Sequence, residues 1–299
     1  MSIGLALSGG GVKGAAHIGV LQAFKEENIK IDYISGTSSG SIVAALYAAG
    51  YTPYNILSMF NTYCKNIADY DKLLPFKLIG TVFTGKISIK GFAKGQRLES
   101  LLYNYFKSKD IFDISQIEMP LAIPTVDLYT GEVIYFLSKD TRSKNSEFIT
   151  FNNEFDDEPT YNSFGDLASI VRASSSFPGV FEPKIINKKV LVDGGVRVNS
   201  PVTILRELGA DKVITVSFDK NDNCKTANLN IVSVAMKSFD IMGHQVNHTE
   251  LETSDYILRP DLDQVTLLEF EKTGKLATQG YMAAKKEIKR IKEKCNILS

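Results

Sequence analysis

Short apolar runs, each followed by a glycine-rich turn and then by helical periodicity, recur along this chain. Ile3 to Ser8 is apolar enough for a buried strand. Gly9, Gly10, Gly11 and Gly14 make a turn, and Ile18, Leu21 and Phe24 at helical spacing predict a helix over Ala15 to Glu27. The same grammar returns at once: a strand over Ile31 to Ser35, a small-residue turn over Gly36 to Gly40, and an alanine-rich buried helix over Ser41 to Ala49. Two such units in the first fifty residues predict parallel strands covered by helices.

Further along, the pattern predicts helices over 53–65 and Leu98 to Phe106, and a hairpin of 120–127 with 132–137 around Thr130-Gly131. Asp166 is placed to cap a helix running to Ser174. Val190 to Val192 is a strand entering Asp193-Gly194-Gly195; a helix over 201–208, a strand over 213–218 and helices over 228–249 and 274–294 complete the chain. No composition break marks a linker and no repeat of useful length occurs, so residues 1–299 are expected to form one α/β domain. Two stretches stand apart. Residues 139–165 are polar and read as a loop excursion, in which Asn152 to Glu158 lacks the ligand spacing and central glycine of a calcium loop. Residues 72–96 carry five lysines and no acid among leucines and phenylalanines, which is expected of either a basic surface loop or a lid or lipid-facing subregion.

Composition narrows the class. The 299 residues hold 34 basic and 34 acidic side chains, 44% apolar and 23% charged residues, an ordinary soluble balance. Zero net charge, with only seven of the cations Arg, supplies no field or fork-shaped donors for nucleic acid, so no nucleic-acid partner is expected. Cys64, Cys224 and Cys295 are odd in number and far apart, which fits a reducing compartment rather than a disulfide framework. Met1 to Ser8 lacks a charged region and long apolar stretch and reads as a mature cytoplasmic N-terminus. The uncharged residues 33–64 are broken by glycine and proline and do not form a membrane span.

Gly36-Thr37-Ser38-Ser39-Gly40 fits G-x-S-x-G, and its position between a predicted strand and a predicted helix is what gives that pattern meaning: Ser38 would stand exposed at a sharp turn as a nucleophile. The bland alternative is a plain turn whose serine caps a helix. Ser8 to Gly14 supplies consecutive glycine amides at Gly10 and Gly11 that could face an oxyanion, with Lys13 able to attract a phosphate or orient the loop. The stretch also satisfies G-x-G-x-x-G, but Asp32 comes too early to bind a ribose, which disfavours a dinucleotide-binding oxidoreductase, and Ala15 and Ala16 break a Walker A pattern. As base for Ser38, His17 lies inside the first helix. His244, His248 and Glu252 share a helical face without a zinc signature, so no metal is expected. Asp193, ending an apolar strand before two glycines, is the more specific candidate, set against a turn or cap carboxylate.

These three separated features, with Ala173-Ser174-Ser175-Ser176-Phe177-Pro178 and the residues that follow to Pro183, resemble the patatin-like phospholipase family over about residues 4–200. The resemblance implies a three-layer α/β/α fold with a mostly parallel sheet and a nucleophile elbow. It also implies lipid acyl hydrolysis by a Ser38–Asp193 dyad, Gly10 and Gly11 as oxyanion donors, and no cofactor. Lys13 stands where the family commonly has Arg, which removes the planar fork for a bidentate phosphate contact. The substrate class implied is a phospholipid, lysophospholipid or other acyl ester. The protein is expected in the cytoplasm, with peripheral contact at the inner membrane surface through 72–96; the motifs leave oligomeric state and headgroup open. A non-catalytic lipid- or protein-binding module on the same fold is the main rival, and a protease a weaker one.

Overall fold

Alternation along β1 (Ile3–Leu7) sets the layers. The computed structural model describes residues 1–65, 91, 93–142, 159–219, 231–262 and 270–297. In it Ile3, Leu5 and Leu7 face the main apolar core, while Ala6 faces a smaller cluster with Val202, Leu205 and Val213 on the other side. Both faces are covered, which is why β1 is an unbroken apolar run.

After β1 come α1 (Ala15–Glu26), β2 (Tyr33–Gly36), α2 (Ser39–Ala48), α3 (Pro53–Lys65) and α4 (Gln96–Lys107). The hairpin of β3 (Leu121–Asp127) and β4 (Val133–Leu137) follows, then β5 (Thr160–Asn162), α5 (Leu167–Ser174), β6 (Lys184–Ile186) and β7 (Lys189–Asp193). The chain closes with α6 (Thr203–Leu208), β8 (Lys212–Val216), α7 (Ile231–Glu252), β9 (Tyr256–Leu258) and α8 (Thr273–Lys294). Among the described residues the main path of the sheet is β5-β4-β3-β2-β1-β8-β9, parallel from β3 through β9, with β4 antiparallel to β3. The main core takes Ile18, Leu21 and Phe24 of α1, Val43 and Leu46 of α2, and Leu276 and Ile291 of α8; α6 packs on the opposite face. Burying each large apolar side chain stabilises the fold by roughly 1.5–3 kcal/mol.

One irregularity positions the site. β2 pairs with the start of β3, ending at Ser35 opposite Ala122. β7 then takes the vacated edge of β3, antiparallel, with Asp193 opposite Thr125. The end of β7 therefore lands beside the place where the chain leaves β2 for α2.

One expectation needs adjustment. Of the polar stretch 139–165, residues 143–158 lie outside the described residues, but Thr160–Asn162 is a strand rather than loop: it pairs with β4, and Tyr161 stacks on Tyr135 with ring centroids 5.8 Å apart. Of the segment 72–96, residues 72–90 and 92 lie outside the described residues. Its far end is tied to the body, since Ala93 bridges Phe181, Lys94 O accepts from Arg172 Nη2 at 2.6 Å, and Gln96 opens α4. Asp166 caps α5, its carboxylate accepting from the Ser169 amide at 2.6 Å. No helix of the described residues is long and apolar enough to cross a membrane.

Candidate active site

The turn from β2 into α2 is strained where the sequence places its serine. Ser38 has φ 54° and ψ −123°, a conformation L-residues rarely adopt, and it costs on the order of 1–3 kcal/mol. The flanking glycines are required by space: a Cβ on Gly36 would lie 2.4 Å from Gly40 O, and one on Gly40 would lie 2.3 Å from Leu7 O. The strain is held by the end of α5 and the first turn of α2. The Ser38 amide donates to Ser174 Oγ at 3.2 Å, Ser175 Oγ donates to Ser38 O at 3.3 Å, and Ser41 Oγ donates to the same carbonyl at 2.6 Å.

Asp193 is 1% exposed. Its Oδ1 accepts from the Gly195 amide at 2.8 Å, and its own amide donates to Ser176 O at 3.1 Å. The serine run of 174–176 thus holds the backbones of both Ser38 and Asp193. Burial pushes the Asp193 carboxyl up to about 7, partly offset by the nearby Ser38 hydroxyl and by the Gly195 amide. Oδ2 itself has no hydrogen-bond partner of ordinary geometry.

The glycine loop meets Ser38 and Asn199. A Cβ on Gly9 would lie 3.2 Å from the Ser38 Cβ and 2.6 Å from Asn199 Oδ1. Gly10 and Gly11 sit at the entry of a short 3₁₀ turn, Gly11–Gly14, whose leading amides have no acceptor inside the turn. The loop is fastened from two sides. The Gly9 amide donates to both Asn199 O and Asn199 Oδ1, each at 3.1 Å. Beneath, His17 Nε2 donates to Ser8 O at 2.8 Å and its ring stacks on Phe218 with centroids 4.5 Å apart. Burial lowers the His17 pKa to about 4, so the ring is neutral near pH 7 and props the loop. Phe218 in turn leaves no room for a side chain at Gly10, where a Cβ would meet the ring at 2.6 Å.

The structure therefore brings Ser38, Asp193, Gly36, Gly40 and the Gly10-Gly11 turn together. Lys13 follows on the same turn, half-buried, with no anionic partner among the described residues. His248 and Glu252 pair through Nδ1 at 3.2 Å as exposed neighbours on α7, and no cluster of three metal-ligating groups occurs among the described residues. His17, weighed as a base for Ser38, is instead spent on Ser8 O. Two contributors carry no mark in the local sequence: Asn199 is joined to the loop by hydrogen bonds no local pattern encodes, and Arg172 is a buried cation on α5. It donates to Ser176 Oγ, Lys94 O and Glu182 O, fixing the helix end that holds the backbones of Ser38 and Asp193.

The patatin-like phospholipase family model matches residues 5–206. An uncharacterized NTE family protein of Mycobacterium tuberculosis is 24% identical over a match covering 95% of this chain and 46% of its own length. The lysophospholipase NTE1 of Saccharomyces cerevisiae is 30% identical, covering 74% of this chain and 11% of its own. The chain thus spans about half or less of the length of these curated relatives. A solved structure of the ExoU-SpcU complex from the type III secretion system of Pseudomonas aeruginosa is similar in fold, with TM-score 0.50 and 15% identity over 99% of this chain and 52% of that one.

Proposed function

This chain belongs to the patatin-like phospholipase family, and from that premise we propose that it is a serine hydrolase of lipid carboxylic esters, acting through Ser38 and Asp193. The observation that carries the reading is the pairing of a strained, positive-φ serine with a buried carboxyl whose pKa is raised to about 7. A carboxylate at its usual pKa near 3.9 is a poor base at neutrality. Raised toward 7, it is matched to proton transfer from a hydroxyl near physiological pH.

In the proposed reaction the ionised Asp193 takes the Ser38 proton as Oγ attacks the ester carbonyl. The Gly10 and Gly11 amides receive the developing oxyanion. Collapse forms the acyl-serine while the protonated Asp193 gives its proton to the leaving alcohol. Water then attacks the acyl carbonyl, its proton passing to Asp193, and return of that proton to Ser38 Oγ releases the fatty acid. The similarity to the lysophospholipase NTE1 supports a lysophospholipid as first substrate to try, alongside intact phospholipids.

The test is mass-spectrometric product analysis with purified protein on a panel of phospholipids and lysophospholipids, with Ser38→Ala as control. Fatty acid release that disappears in the variant is expected. Release that persists in Ser38→Ala overturns the dyad reading, and lipid binding without any product favours a binding module.

A further inference from the structure

Apolar side chains are exposed around the mouth of the site. On the β3–β4 turn Leu128 is 51% exposed and Tyr129 83%. β3 runs parallel to β2, so this turn projects beyond the sheet edge at which Ser38 sits. The tip is rigid: the Tyr129 amide donates to Asp127 Oδ1 at 2.9 Å, the Gly131 amide to Asp127 O at 2.9 Å, and the Leu128 amide to Val190 O at 2.8 Å. It is also fastened to the turn after Asp193, because Arg197 Nη1 donates to Gly131 O at 3.1 Å; Val196, beside Arg197, is exposed.

Helix α7 completes the rim. Its Glu250 accepts from the Val202 and Thr203 amides at 2.8 Å each, and one turn earlier Asn247 Nδ2 donates to Asp219, already past the end of β8. At 1.5 Å per residue the helix therefore reaches about 9 Å further out by Ile241. Along this overhang Ile241, Met242 and Val246 are all exposed. Apolar and aromatic side chains spaced around a mouth suit the headgroup and acyl boundary of a bilayer, where a tyrosine keeps its hydroxyl wet and its ring buried. Lys13 on the glycine turn after β1 and the exposed Lys188 on the β6–β7 turn add cations at the same end of the sheet, of the sign that anionic headgroups attract.

We propose that this rim, Leu128, Tyr129, Val196, Ile241, Met242 and Val246, is a docking surface for a lipid bilayer that brings its esters to Ser38. The inference rests on the lipid hydrolase reading above. It places the contact on the β3–β4 turn, the turn after β7 and α7.

The test separates binding from turnover. Ser38→Ala protein is sedimented with vesicles of phosphatidylcholine and phosphatidylglycerol, while hydrolysis of a water-soluble short-chain ester by the unaltered protein reports on the hydrolase reading by itself. The Ser38→Ala protein is expected to pellet with vesicles. Adding Leu128→Ser, Tyr129→Ser and Met242→Ser should lower the partition coefficient at least tenfold without changing the melting temperature appreciably. Adding Tyr54→Ser and Met282→Ser, at exposed apolar positions on α3 and α8, should not. Tyr129→Ser alone, expected to lose a few-fold, serves if the triple change disturbs folding. Unchanged partition in the rim variants, equal losses in both sets, or no association of the Ser38→Ala protein with vesicles overturns the proposal.

Discussion

Replacing Asp193 by Asn should cost activity and change how stability depends on pH. In the folded protein burial raises the Asp193 pKa from 3.8 to about 7. The shift, about three units, corresponds to about 4 kcal/mol of disfavour for the charged form relative to the unfolded chain. Because the folded pKa is the higher one, the stability tied to the neutral carboxyl is fully present below pH 3.8, declines as pH rises, and is lost above about pH 7. Asn is isosteric and cannot ionise, so it escapes that decline. Urea unfolding of both proteins should show the variant gaining on the wild type by about 2–3 kcal/mol between pH 5 and pH 8.5. The slope is the quantity to read, since an amide nitrogen near the unpartnered Oδ2 position adds a pH-independent cost. In the same pH range wild-type kcat/KM on a soluble ester should rise about tenfold per pH unit to a bend near 7, and the variant should be 10²–10⁴-fold slower, the usual worth of a general base. A stability difference that does not vary with pH, together with a flat rate profile from pH 5 to 8, would refute the claim that a buried, raised-pKa carboxylate is the base.

Two further substitutions probe what surrounds Ser38 and Asp193. Asn199→Ala removes the side-chain acceptor of the Gly9 amide and should lower kcat about tenfold with little change in KM, less than the 10²–10³ lost with an oxyanion donor itself. Asn199→Asp keeps that acceptor but adds a charge. Because a Cβ on Gly195 would lie 3.1 Å from Asp193 Oδ1 and 3.2 Å from Asn199 Oδ1, the rate bend should move up by about one pH unit; an unmoved bend counts against a role for Asn199 at the site. Far away, a Cβ on Gly280 would lie 2.1 Å from Ala16 O where α8 crosses α1. Gly280→Ala, ordinarily favourable in a helix by about 1 kcal/mol, should here destabilise by about 3 kcal/mol in urea unfolding, and a raised midpoint would show that the crossing is looser.

Much of the scaffold is legible along the chain because its signals are local. Each strand-turn-helix unit spans a few tens of residues, the apolar run of β1 follows from burial on both faces, and Asp166 announces its helix through a capping carboxylate. Gly36 and Gly40 mark the elbow because a tight strand-to-helix turn admits no Cβ there. Thr160–Asn162 escapes this kind of reading, since its strand depends on Tyr135 and on β4, a partner with no mark in the local sequence.

By itself the sequence determined which residues could react: a serine between glycines, an aspartate ending an apolar strand, and a run of glycine amides. Tertiary structure decided that they meet, by letting β7 occupy the edge of β3 that β2 leaves, and by tying the backbones of Ser38 and Asp193 to Ser174, Ser175 and Ser176. It also decided the chemistry of Asp193. A carboxyl's pKa is set by the solvent it loses and the donors it finds, and here the burial is assembled by segments distant in the chain. Hydrogen bonds spanning 136 residues from Ser38 to Ser174 and 190 from Gly9 to Asn199 arise only when the sheet is complete, because nothing in the local sequence specifies the other end.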